Sequence, residues 1–178
     1  MKKKNRSNKK FKTITFKTLV VGVDIAKHTQ WARFVDCRGI EHSKALRFEN
    51  NKNGFYTILT RIYEICKQED FDKVVVGMKP TGHYWKAFAN FLMKQAKITV
   101  VLVNPYHTKK AKELDDNSQT KSDKKDALMI ARLVKDGRYF ETYIPHEVYA
   151  ELRGLTTTRN SINKRKKSVM NTITAVLD

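Results

Sequence analysis

The chain is poor in the residues that mark secreted, fibrous or membrane-embedded proteins. Cysteine occurs twice, at Cys37 and Cys66, 29 residues apart and with no CxxC spacing. Two such thiols make neither a disulfide framework nor a zinc cage, and reduced core thiols in a cytoplasmic protein are the expectation. Three prolines and seven glycines in 178 residues exclude a collagen-like or low-complexity chain. The longest apolar runs, such as Ile98–Val103, fall far short of the roughly 20 residues that span a bilayer. The basic N-terminus has no apolar stretch behind it of the kind a signal peptide needs. Neither GxxxxGK[ST] nor GxGxxG occurs, so nucleotide hydrolysis through those phosphate cradles is not supported.

Basic residues are abundant. The 36 Lys+Arg against 18 Asp+Glu leave a net charge of +18, with an isoelectric point near 9.9. A chain this basic repels itself, so the excess answers a polyanion, with nucleic acid first and an anionic membrane surface second. Residues 1–17 carry eight basic side chains and no acid. They read as a solvated tail whose last residues join a strand, or as a loose phosphate-binding arm. With 40% apolar and 10% aromatic residues the chain is able to bury a sizeable core.

Hydrophobic patterning predicts strands at Leu19–Ile25, Gln30–Cys37 and Glu41–Glu49, the last two joined by a turn at Arg38-Gly39. An amphipathic helix follows, with Phe55, Ile58, Leu59, Ile62 and Ile65 on one face and N-cap candidates among Asn50–Asn53. Then come a strand at Lys73–Met78, a helix from about His83 to Gln95, and a strand at Ile98–Val103 closed by Asn104-Pro105. A helix is predicted over Ser122–Lys135, with Ser122 as N-cap and Gly137 beyond its end, and a long helical pattern runs from Glu147 onward. Strands alternating with helices in this way give an α/β fold with a mixed sheet, the carboxyl ends of its central strands opening on a crevice.

Three carboxylates stand out. Asp24 ends an apolar strand, where a charge is costly unless paired or metal-bound; it reads as a turn former or as a metal ligand. Asp123 and Asp126 share one face of a helix, either as acids suited to a helix N-terminus or as further ligands. Two-metal phosphodiester chemistry needs carboxylates gathered from different elements.

The segments VGVDIAK, GMKPTGHYW, VNPYHTKKAK and KSDKKDALMIARLV, followed by the long basic helix, resemble in this order the DEDD-type insertion-sequence transposases. These are relatives of the Piv DNA invertase with a RuvC-like N-terminal domain. The resemblance covers about Leu19 to Asp178. It implies a ribonuclease-H-like fold over 18–145, a helical linker beginning at 146, and Mg²⁺ (or Mn²⁺) held by four acids. It further implies DNA and a bridging RNA as partners, a homo-oligomer in the full-length protein, and a C-terminal domain with a nucleophilic serine. By position Asp24 matches the first acid, and Asp123 and Asp126 the third and fourth. Lys79 stands where a Glu is expected, and an ammonium cannot ligate Mg²⁺. Either Lys79 partly mimics the missing cation and disables the metal site, or it swings to solvent and leaves three aspartates with a weaker one. The chain stops inside what resembles the linker, and strand exchange by it alone is not expected.

Lys109, Lys110, Lys124 and Lys125, near the acid pair, are candidate phosphate contacts. So are Arg159, Lys164, Arg165, Lys166 and Lys167, five basic residues in nine without an acid. On the same helix Leu152, Leu155, Ile162, Val169 and Ile173 form an apolar stripe that fits a coiled-coil seam only in part. His83, Tyr84 and Trp85 suit helix-start packing better than base stacking. His28, His42, His107 and His146 lack metal-ligand spacing. Three rival readings are a stand-alone Holliday-junction-resolvase-like Mg²⁺ nuclease, a nucleic-acid-binding remnant without catalysis, and an actin-like ATPase sharing the VGVDIA strand.

Overall fold

The computed structural model describes residues 13–115, 123–142 and 147–177. The chain forms two compact units, Met1–Thr142 and Tyr143–Asp178. The first is built on a six-stranded sheet of β1 (Thr18–Asp24), β2 (Thr29–Val35), β3 (Leu46–Glu49), β4 (Lys73–Met78), β5 (Ile98–Leu102) and β6 (Phe140–Glu141). Its helices are α1 (Lys52–Gln68), α2 (Trp85–Met93), α3 (Pro105–Asp115) and α4 (Asp123–Lys135). The strands lie in the order β3-β2-β1-β4-β5-β6. The three central strands β1, β4 and β5 are parallel; β2, β3 and β6 run against their neighbours. A meander of three strands followed by two parallel crossovers, with the first strand central, is the ribonuclease-H-like arrangement of an α/β sheet.

Alternation along the strands sorts the core into two layers. Val20, Val35, Val75, Val101 and Val103 pack with Ile130, Ala131, Leu133 and Val134 of α4. Leu19, Val21, Phe34, Val76 and Met78 point the other way and are fully buried. On that side Phe88 of α2 meets Phe55 of α1 at 5.0 Å and Phe48 of β3 at 5.5 Å between ring centroids. Asn51 caps α1, its side chain accepting the Gly54 N–H at 2.8 Å.

Strand β4 matches its predicted bounds, and β1 and β5 do so within a residue. The Arg38-Gly39 turn is present. The Asp36 carboxylate accepts the Arg38 and Ile40 N–H groups, each at 2.9 Å, and Gly39 takes a φ of 92°. The strand predicted from Glu41 contracts to Leu46–Glu49, with only an isolated bridge between Val35 and Glu41 before it. There the chain is held by a side chain: Arg61 of α1 donates to Ser43 Oγ at 3.0 and 3.2 Å. Helix α2 is shorter than expected at both ends. Helix α3 is a correction, because Asn104-Pro105 does more than close β5. Asn104 Oδ1 accepts the Tyr106 N–H at 2.9 Å, and proline suits the first helical position. Strand β6 escaped sequence reading, being two exposed residues long. Ser122 and residues 1–12 lie outside the described residues. Lys17 does extend β1 alongside the start of β4, its carbonyl accepting the Asp72 and Lys73 N–H groups. The two thiols are unbridged and half buried, not core.

The second unit holds α5 (Glu147–Leu177), as the pattern predicted. Its Val148, Leu152, Leu155, Ile162, Val169, Ile173 and Val176 are exposed. With Arg159 and Lys166 they alternate in steps of four and three, so the seam is more regular than the sequence reading allowed and is broken only by two cations. Lys164 to Lys167 are consecutive and advance about 100° each, so their charge encircles the helix instead of forming one stripe. No described helix is long and apolar enough to cross a membrane.

Candidate functional site

Two glycines set the site. Gly22 and Gly77 are register partners on β1 and β4 and face α4. A Cβ on Gly22 would lie 2.2 Å from the Ala127 carbonyl oxygen and 2.3 Å from the Ala131 nitrogen; one on Gly77 would lie 2.3 Å from Val134 Cγ2. Without side chains here the α4 backbone lies directly on the sheet. Two residues beyond these glycines, on the same face by strand alternation, come Asp24 and Lys79. The first turn of α4 is thereby brought down onto the carboxyl ends of β1 and β4, carrying Asp126 with it.

Lys79 Nζ lies 3.1 Å from Asp24 Oδ1 and 3.8 Å from Asp126 Oδ2. The side chains are 21% exposed for Lys79 and 11% for each aspartate, so water screens these charges only partly. The lysine therefore does not swing to solvent. Asp123 is exposed on the first turn of α4, and neither close contact of Lys79 involves it. Among the described residues no three His, Cys, Asp or Glu side chains form a group able to hold a metal ion. An ammonium between two carboxylates supplies positive charge but no lone pair, whereas Mg²⁺ demands a near-octahedral shell of oxygens. The donors present do not fit the ion that four acids would hold.

The predicted basic residues divide between the two units. Lys124 and Lys125 are exposed on the first turn of α4, and Lys109 and Lys110 are exposed on α3. Lys110 helps line a cavity of about 520 Å³ between α3 and α4, together with His107, Arg132 and Arg138 above Ala111, Met129 and Leu133. Arg132 and Arg138 were not singled out from sequence. Local sequence carried no signal for them, because the cavity exists only where α3 and α4 meet. Arg159, Lys164, Arg165, Lys166 and Lys167 are exposed on α5. Trp85 is buried in the core, as helix-start packing requires, and His83 stacks loosely on Tyr84 at 4.3 Å. His42 stands between Asp36 at 3.6 Å and Glu69 at 3.3 Å, joining the β2–β3 turn to the end of α1. His146 lies outside the described residues.

The carboxyl ends of β1 and β4 and the first turn of α4 thus gather one lysine and two aspartates on a ribonuclease-H-like sheet. The chain matches the DEDD_Tnp_IS110 transposase family over residues 21–178 and belongs to it. No curated protein matches it. Thermus thermophilus RuvC in complex with a Holliday junction substrate is similar at 14% identity and a TM-score of 0.46, covering 70% of this chain and 99% of that one. A second Thermus thermophilus RuvC structure has the same identity and coverage and a TM-score of 0.44.

Proposed function

We propose that this chain is the RuvC-like domain of an insertion-sequence transposase that binds DNA and a bridging RNA, with Lys79 as the resident counter-ion of its acidic centre in place of Mg²⁺. The observation that carries this reading is the position of Lys79 Nζ within 4 Å of both Asp24 and Asp126. In this role Lys79 is a positioning residue. It neutralises two carboxylates from different elements and ties the first turn of α4 to β1 and β4. Phosphate contact falls to Lys109, Lys110, Lys124 and Lys125 and, on α5, to Arg159, Lys164, Arg165, Lys166 and Lys167. The net charge of +18 supports that assignment.

The test is binding of a labelled branched DNA and a structured RNA across a salt series, with Mg²⁺ or with chelator. The expected result is binding that persists in chelator, a steep fall with salt, and no strand cleavage when Mg²⁺ is present. Loss of binding in chelator, or Mg²⁺-dependent cleavage, overturns the reading.

A further inference from the structure

The row of side chains at the sheet's carboxyl edge extends past Asp24. Trp31 of β2 is the register partner of Asp24, so both side chains leave the same face of the sheet, with Cβ atoms about 5 Å apart. The indole is only half buried. Its cover is a cation: Lys124 Nζ lies 4.7 Å from the ring centroid. Arg33, next on that face of β2, donates to the Lys124 carbonyl at 3.5 Å and pairs with Glu41, which fixes the backbone from which Lys124 reaches. Trp85, in contrast, is buried in the apolar core.

We propose that Trp31 and Lys124 form a binding site for one unpaired nucleotide of a DNA or RNA strand, the base stacking on the indole and its phosphate taking the Lys124 ammonium. The site rests on the nucleic-acid reading above and adds a base contact to it. An exposed lysine on a flexible four-carbon stem exchanges the ring for a phosphate by rotating its side chain, which uncovers the π face. Every base offers a face to stack, so the site tolerates any sequence. Its place beside Asp24 and at the positive end of α4 draws an extended strand to the acidic centre.

The chain contains two tryptophans, and Trp85→Phe leaves Trp31 as its single indole. Short oligothymidylate and oligouridylate strands are titrated into this chain, with binding followed by anisotropy of an end label and stacking by indole emission from unlabelled strands. The expected result is quenching of Trp31 emission in step with binding. Trp31→Leu weakens binding about tenfold, while Trp31→Phe retains most of it and Lys124→Met lowers the salt slope by about one. Weakening with one polymer or with both supports the site and names the strand it takes. A melting curve for each variant shows that the fold is kept, and the Trp31 emission needs no variant at that position. Strand binding that leaves Trp31 emission and the affinity of Trp31→Leu unchanged overturns the site while sparing the nucleic-acid reading. No binding to either polymer also overturns the site, and the branched-DNA and structured-RNA titration then decides the nucleic-acid reading separately.

Discussion

Helices α4 and α5 are both amphipathic and both rich in lysine and arginine, yet they use these residues in opposite ways. In α4, Ala127, Met129, Ile130, Ala131, Leu133 and Val134 are buried, and even Asp126 is 8% exposed. In α5, every described side chain is exposed, apolar and basic alike. Apolar content does not separate the two; the floor does. Helix α4 has beneath it the paired glycines Gly22 and Gly77, which admit its backbone to the sheet and carry a charged first turn into a half-buried site. Helix α5 has an apolar seam of regular four-three spacing, interrupted at Arg159 and Lys166. A buried charge therefore acquires a defined partner in one unit, while in the other the charges remain distributed around a solvated cylinder.

That contrast can be broken from either side. The largest effect is expected from Gly22→Ala. The added methyl meets α4 backbone atoms at 2.2–2.3 Å, and lifting the helix costs about 3 kcal/mol. Urea titration measures the loss, and the same displacement carries Asp126 away from Lys79. An unchanged unfolding midpoint would mean that the floor does not set the helix.

Asp36 comes next. Burial by itself raises its carboxyl, but the Ile40 and Arg38 N–H groups and the Arg38 guanidinium outweigh it and hold the group below its ordinary value. A depressed folded value contributes stability that is full above the ordinary aspartate range and is lost as pH falls through the folded value. Asp36→Ala is expected to cost about 2 kcal/mol at neutral pH. The difference from the parent should shrink below about pH 4. Melts at a series of pH values check both statements; a difference constant across that range contradicts the assignment.

The smallest effect falls on α5. Gly154 has nothing within 4 Å of an added Cβ, so Gly154→Ala should stabilise that helix by about 1 kcal/mol. Circular dichroism on warming reads the gain, while the unfolding of the sheet unit stays where it was.

Much of the fold was legible because β1, β4 and β5 are short β-branched runs and α1 has a clean apolar face. Helix α3 was missed because Asn-Pro was read as an end, although the same two residues cap and open a helix. Strand β6 is too short to carry any periodicity. In the site, Asp24, Lys79 and Asp126 were readable through the ordered motifs, and the structure brings these three together while leaving Asp123 exposed. The glycine floor, Trp31 and the arginines of the α3–α4 cavity were not readable. Their roles depend on which residue lies opposite which, and register between distant segments is not written in local sequence. Gly22 alone is one glycine in a strand; Gly22 beside Gly77 is a seat for a helix.

The central claim is that Lys79 stands in for a metal ion. Isothermal titration of Mg²⁺ and Mn²⁺ into the parent chain and into Lys79→Glu tests it most directly. The account predicts no measurable heat of binding for the parent and saturable binding for the variant, in which a fourth carboxylate replaces the ammonium. Equal binding by both would contradict it, because the aspartates would then hold the ion with Lys79 in place.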